Sequence, residues 1–412
     1  MSQTLAGWLD KILAMHEQEI DMGLARIQRV ARKLGVTEQL PPVITVAGTN
    51  GKGSTIALLN TLASAAGLRT GVYTSPHITH FNERIRINGK LASDADLCAV
   101  FTQINQARGH IPLTFFEFTT LAALLLFQQA GLDLYILEVG LGGRLDAVNI
   151  VDADVALVTS IALDHTDWLG DDLTVIATEK TGIARPHKPL LYGMPTVPST
   201  VLAQVEQEQI LLYGQGDTFG ANGNKIWWQE NGTSESLELT QAVALGEDNF
   251  AMALQALALL GMLPEKQQLL PLAAEATLAG RSQYFYHQGR HWYLDVGHNE
   301  AAVNRFFQRL PTQQGNLYGV CAMLLDKSAR TLAGQAHRAK KWYLADLHVP
   351  RGGSAKRLSE ALSPSVEREC FASVAEALQQ AQNDSAVGDT IVVFGSFYTV
   401  ADAEVFLHEA EK

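Results

Sequence analysis

The 412-residue chain predicts an α/β fold in two parts, each built on a mostly parallel sheet. Three observations carry that expectation. Apolar β-type runs alternate with helical periodicity, which argues a parallel sheet covered by helices. A second alternating set begins near Trp292. The length also suits two domains rather than one.

The elements follow in order. Residues 1–40 carry helical spacing, with Leu5, Trp8, Leu9, Ile12 and Leu13, then Ile20, Leu24, Ile27 and Val30. Strands are predicted at 43–47, 70–74, 134–139 and 155–161. Helices are predicted from Thr55 to Ala66, ending at Gly67, and from about Thr119 to Ala130. The segment 214–240 holds Asn222-Gly223, Asn231-Gly232 and Trp227-Trp228, and reads as a β-hairpin excursion. The stretch 281–291 has no clear period and marks the boundary, giving domains over 1–283 and 288–412. Beyond it, strands are predicted at 292–296, 317–322, 341–345 and 390–395, in a smaller Rossmann-like α/β domain.

Composition excludes several classes. The net charge of −12 argues against non-specific nucleic-acid binding. Cys98, Cys321 and Cys370 are odd in number and lack metal or disulfide spacing, which suits a reducing cytoplasm. The N-terminus carries Asp10, Glu17, Glu19 and Asp21 and has no apolar signal core. The apolar run Phe250 to Leu263 is too short to span a bilayer, contains Gln255, and reads as a buried helix. A monomer without membrane or nucleic-acid partners is expected.

The motif richest in chemistry is Gly48-Thr49-Asn50-Gly51-Lys52-Gly53-Ser54, between the strand Val43 to Ala47 and a helix. A strand, a glycine-rich turn and a helix N-terminus make an anion site, with N–H groups, helix dipole and Lys converging on phosphate. The domain is therefore of P-loop type, and ATP or GTP is implied. The loop departs from the Walker pattern, with Val46 at the first glycine position and Gly53 where Ser or Thr follows Lys.

Other polar groups sit at predicted strand ends, where ligands of parallel sheets bind. Glu138 closes an apolar strand; it is a Mg²⁺ ligand or a solvated, helix-capping carboxylate. Gly140-Leu141-Gly142-Gly143-Arg144-Leu145-Asp146 permits close backbone approach to a ligand, with Arg144 and Asp146 fixing a polar substrate, or is a turn with surface charges. In Asp164-His165-Thr166-Asp167, His165 is a metal ligand or is hydrogen-bonded to a neighbouring Asp. Lys180 has no reason from composition to be catalytic. Thr114-Phe115-Phe116-Glu117-Phe118 is core or a platform for a flat heteroaromatic ligand. Asp295-Val296-Gly297-His298-Asn299 and Gly395-Ser396-Phe397 end later strands, with Arg281 at the boundary.

Taken together with Thr74-Ser75-Pro76-His77, Ser160 to Asp167 and Glu179-Lys180-Thr181-Gly182, these motifs resemble the dihydrofolate synthase/folylpolyglutamate synthase family. That family is a branch of the ATP-dependent ligases that include the muramyl peptide ligases. The motifs run in family order over nearly the whole chain, and the stretch Leu137 to Gly170 looks like the bifunctional bacterial type.

The resemblance implies a central Mur-ligase-type domain followed by a C-terminal Mur-ligase-type domain. It implies amide ligation of L-glutamate to dihydropteroate and to the γ-carboxyl of reduced folates, with ATP as co-substrate and one or two Mg²⁺. Gly48 to Ser54 would hold phosphate, with Lys52 catalytic. Ser75, Glu138 and His165 would bind Mg²⁺, and Lys180 would be carbamylated, His165 and Lys180 also being catalytic. Asn249, Arg281, Asp295 and His298 would contact the nucleotide. Asp21, Met22, Gly23 and Leu24, with Thr114, Phe115, Phe116 and Glu117 and with Leu145, Asp146 and Ala147, would hold the pterin. Gly297, Glu300, Ser282 and Ser328 depart from the family pattern. The rivals are a folylpolyglutamate synthase alone, a muramyl peptide ligase, which needs a larger domain than the 47 residues ahead of Gly48, and an ATP-hydrolysing switch.

Overall fold

The computed structural model describes residues 4–16, 21–312 and 315–409. The chain divides into two compact units, up to Ala276 and from Thr277. Of the expected N-terminal helical positions, Ile20 lies outside the described residues, as do Glu17 and Glu19. The others fall on helices Leu5–Leu13 and Ala25–Leu34 or in the short segment just before the second.

The first unit is built on eight strands: β1 Val43–Ala47, β2 Thr70–Tyr73, β3 Ile85–Ile87, β4 Lys90–Leu91, β5 Leu134–Glu138, β6 Val155–Val158, β7 Pro189–Tyr192 and β8 Leu211–Gly214. Their order is β4-β3-β2-β5-β1-β6-β7-β8. From β2 to β8 all pairs are parallel, and the β3 and β4 edge is antiparallel. Every residue of β1 and β5 is buried. Both faces of these central strands are covered, so they read as unbroken apolar runs rather than as alternation.

Helix Phe115–Ala130 starts with a capping box between Thr114 and Glu117 and ends at Gly131 in the left-handed region. Helix Glu247–Leu259, the core of the apolar run after Phe250, packs on helix Lys52–Ala65. Among the described residues no helix is long and apolar enough to cross a membrane.

The segment 214–240 forms more than a hairpin. Strands β9 Gly220–Asn222, β10 Lys225–Glu230 and β11 Thr233–Glu238 make a small antiparallel sheet in the order β11-β10-β9. It turns at the two Asn-Gly pairs, and Trp228 is buried beneath it.

The second unit holds β12 Gln283–His287, β13 Arg290–Asp295, β14 Leu317–Cys321, β15 Lys341–Ala345, β16 Arg368–Phe371 and β17 Thr390–Phe394, ordered β12-β13-β17-β14-β15-β16. The stretch 281–291, expected as an aperiodic boundary, is a β-hairpin of this unit, with Tyr284 paired to Tyr293. Its alternation is masked because both faces are aromatic. Tyr284 and Tyr286 are exposed, while Phe285 and His287 pack against His408 and Phe406.

Phe101 is the aromatic hub of the first unit's outer layer. It is fully buried and meets Trp8, Phe81 and Phe118 edge-on, with ring centroids 6.0, 5.9 and 5.5 Å away. Phe101→Ala is expected to cost about 3–5 kcal/mol. A urea unfolding curve shifted by under about 1 kcal/mol would show that this layer packs otherwise.

Candidate active site

The glycine loop Gly48–Gly51 leaves the carboxyl end of β1 and enters helix Lys52–Ala65. Its turn demands φ of +144° at Gly48 and +93° at Gly51. A Cβ on Gly48 would lie 2.0 Å from Thr159 Oγ1, so only glycine fits there. The segment after β6 clamps the loop. Thr49 N donates to Ser160 O at 2.8 Å and Asn50 N to Ser160 Oγ at 3.0 Å. The Thr159 and Ser160 hydroxyls both donate to Asn50 O, at 2.7 and 2.9 Å. Thr159 and Ser160, expected as strand, are thus spent on the loop.

Two lysines converge on one carbonyl. Lys52 Nζ donates to Gly48 O at 3.1 Å and Lys180 Nζ to the same atom at 3.3 Å. Lys180 lies near the end of helix Leu173–Thr181 and is 6% exposed. Burial, then the nearby Lys52 charge, pulls its amine down to about 7.

Glu138, the last residue of β5, is also buried, with Oε1 4.0 Å from Lys52 Nζ. Its Oε2 accepts from Ser75 N at 3.1 Å. Ser75 and Glu138 are therefore brought together near the loop through the Ser75 backbone. His165 sits on an exposed turn, with φ +51° and its N–H donating to Asp164 Oδ1 at 2.9 Å. Among the described residues no three His, Cys, Asp or Glu side chains gather into a metal centre. Asn249 is buried on helix Glu247–Leu259, accepts from Thr55 Oγ1 at 3.3 Å and lies against Gly51.

The pterin-assigned segments divide. Asp146 is buried and accepts from the N–H groups of Gly140, Leu141 and Val148 at 3.1, 2.9 and 3.0 Å. Its carboxylate organises the glycine-rich turn, and burial raises its pKa to about 6. Arg144 pairs with Glu179 at 2.7 Å, with its side chain about half exposed. Leu145 and Ala147 flank Asp146 in that turn. Phe116 stacks on Tyr73 at 5.7 Å and lies against Gly140, whereas Phe118 belongs to the core. Phe115 meets Phe81 edge-on. Asp21 and Glu117 are joined by Arg26, which the residue-by-residue reading missed. Met22, Gly23 and Leu24 lead from Asp21 into helix Ala25–Leu34.

In the second unit, Asp295 ends β13 and is buried. It accepts from Ser282 N at 2.9 Å and Gly297 N at 2.7 Å, and burial raises its pKa. Arg281 lies over the Phe397 ring at 5.8 Å, and His298 Nδ1 is 3.0 Å from Val296 O. These three form one cluster with the Gly395 to Phe397 segment. Of the departures from the family pattern, Gly297 avoids a Cβ 2.9 Å from Asp295 Oδ1, and Glu300 opens helix Glu300–Arg309, where an acid suits the dipole.

Two family models match this chain, the Mur ligase middle domain over residues 46–257 and the Mur ligase glutamate ligase domain over 280–397. The dihydrofolate synthase/folylpolyglutamate synthase of Escherichia coli K12 is 43% identical, over 96% of this chain and 94% of that protein. The chain belongs to the dihydrofolate synthase/folylpolyglutamate synthase family. The structure of Escherichia coli FolC in complex with DHPP and ADP matches with a TM-score of 0.93 at 41% identity, covering 99% of both chains. The Yersinia pestis bifunctional synthase complexed with AMPPNP and Mn ion matches with a TM-score of 0.91 at 42% identity, covering 98% of both. Likeness to this synthase family spans both units, so the α/β architecture and the middle and glutamate ligase domains agree with the order of motifs along the chain.

The depressed lysine has a consequence for stability. Unfolded, Lys180 regains its ordinary value of 10.5; folded, it holds its proton only below about 7. Between those values the unfolded chain binds one more proton, so stability rises with pH over that window. Lys180→Met should flatten the rise. Urea midpoints at pH 7 and pH 9.5 in carbon-dioxide-free buffer would check this, and equal slopes for both proteins would contradict it.

Proposed function

We propose that this chain is an ATP-dependent ligase that joins L-glutamate to dihydropteroate and to the γ-carboxyl of reduced folates. The observation that carries the reading is the convergence of Lys52, Lys180 and Glu138 on the Gly48 turn, in a chain 43% identical to a bifunctional synthase. The γ-phosphoryl of ATP passes to the substrate carboxylate and gives an acyl phosphate. The glutamate amine then attacks, the C–N bond forms, and phosphate leaves as the amine loses a proton. Phosphoryl transfer depends mainly on positioning and charge neutralisation, which the loop amides and Lys52 supply.

Glu138 fits Mg²⁺ as a buried hard oxygen donor, and Ser75, whose N–H donates to that carboxylate, would bring a second oxygen-bearing side chain. A bound Mg²⁺ would neutralise phosphate charge there, and His165 on its turn would complete the ligand set. A buried amine near pKa 7 is neutral often enough to attack carbon dioxide. The new N–C bond and one released proton leave a carbamate on Lys180, an anionic oxygen donor in place of a cation. Gly48 to Ser54 with Asn249 hold ATP, and Arg281, Asp295 and His298 are nucleotide contacts of the second unit. Asp21 to Leu24, Thr114 to Glu117 and Leu145 to Ala147 hold the pterin. The net charge of −12 disfavours a nucleic-acid partner, and the chain is read as a monomer acting on small-molecule substrates.

ADP release with glutamate plus either dihydropteroate or tetrahydrofolate tests the reading. Activity with both is expected, activity with tetrahydrofolate alone leaves a folylpolyglutamate synthase, and release indifferent to either acceptor removes the ligase. Lys52→Ala should lower kcat about 10²–10³-fold, the usual loss of one transition-state donor. Near-normal turnover would reassign the ATP site. Lys180→Ala should be inactive and partly restored by acetate; unassisted activity would dispose of the carbamate.

A further inference from the structure

Arg26 is the second residue of helix Ala25–Leu34. A cation in the first turn opposes the helix dipole, and this helix start has neither an acid nor a side-chain cap. A side chain placed against the local rule points to a role elsewhere. Its contacts show where. Nη1 meets Asp21 Oδ2 at 2.5 Å and Nη2 donates to the Asp21 carbonyl at 2.8 Å. Nη2 is also 3.2 Å from Glu117 Oε1, and Nε is 3.4 Å from Glu117 Oε2. Beyond Asp21, His16 Nε2 lies 3.3 Å from the same Oδ2.

Glu117 is buried, and its Oε2 already accepts the Thr114 N–H at 2.8 Å in the capping box. Among the described residues its Oε1 has no hydrogen-bond donor, and it faces the Arg26 charge. The loop that Arg26 holds also reaches the glycine-rich turn, because a Cβ on Gly142 would lie 3.5 Å from Met22 Cε. One guanidinium fork therefore fixes the Asp21 to Leu24 segment, far off in sequence, to the start of helix Phe115–Ala130. Lysine, a point charge, cannot bridge both carboxylates with the same geometry.

We propose that Arg26 is a positioning residue for the pterin substrate, acting through Asp21 and Glu117 to pre-set the two segments that receive the ring. This rests on the ligase reading above. The two segments need to be held in register before binding, because ordering them on arrival would be charged against affinity.

The test compares wild type, Arg26→Met, Arg26→Lys, Glu117→Gln and the Arg26→Met/Glu117→Gln double variant, with KM for dihydropteroate, ATP and glutamate, kcat and Tm measured for each. Arg26→Met is expected to raise the dihydropteroate KM about tenfold or more, the scale of a lost charge-assisted contact. ATP and glutamate KM should stay within about twofold, and Arg26→Lys should recover only part of the loss. The double variant should be no worse than the worse single one, since both single variants remove the same Arg26–Glu117 charge pair. A dihydropteroate KM unchanged in Arg26→Met overturns the proposal. So does a parallel rise of all three KM values with a falling Tm, which marks a merely structural role. Should Arg26→Met not fold, Arg26→Lys decides by the same split. A wild type without dihydropteroate-dependent ADP release overturns the ligase reading and this one together. An active wild type with unaffected variants overturns this one alone.

Discussion

The backbone turn at Gly48–Gly51 is the constraint on which the first unit's chemistry depends. Its positive φ angles aim one carbonyl, that of Gly48, toward both lysines. A turn of this kind is not stable by itself. It is held because Thr159 and Ser160, just past β6, satisfy the polar groups of Thr49 and Asn50. Adjacent parallel strands β1 and β6 deliver the two segments to the same sheet edge, so the sheet register sets the loop.

Electrostatics in this crevice are those of scarce solvent. Lys180 and Glu138 are buried and Lys52 nearly so; both lysines share the Gly48 carbonyl, and Lys52 also faces the Glu138 carboxylate. Burial and the neighbouring Lys52 charge make Lys180 give up its proton readily. The same burial that weakens one amine as a cation strengthens it as a nucleophile, and anionic phosphate is the partner that would balance what remains.

Much of this is legible in the residues. The strand before Gly48, the strand ending at Glu138 and the later strands Leu317–Cys321 and Thr390–Phe394 read correctly because buried parallel strands are plain apolar runs. The hairpin from Gln283 is illegible because aromatics occupy both of its faces. Short strands such as β3 and β4 lie below the length at which a pattern can declare itself. At the site, Glu138 and Lys180 were recognisable as members of motifs, but their shared carbonyl partner was not. Thr159 and Ser160 read as strand, and the Arg26–Glu117 bridge goes unseen, because these partners lie about 90 or more residues apart along the chain. The one local clue to Arg26 was its sign at a helix start.

The two densest motifs, Gly140 to Asp146 and Glu179 to Gly182, turn out to be one packing unit. A Cβ at Gly143 would sit 2.6 Å from Glu179 O and 2.8 Å from Lys180 O, both backbone atoms that cannot yield. Arg144 N donates to Glu179 O at 2.9 Å, and Asn149 Nδ2 donates to both Arg144 O and Gly182 O. Asp146 fastens the other side of the turn through three N–H groups. The position of the Lys180 amine is therefore set by the turn as much as by its own helix. Any side chain at position 143 would push the lysine helix off the sheet edge and carry the amine away from Gly48. That is the physical reason the glycine-rich stretch and the lysine helix together set where the amine meets the Gly48 turn.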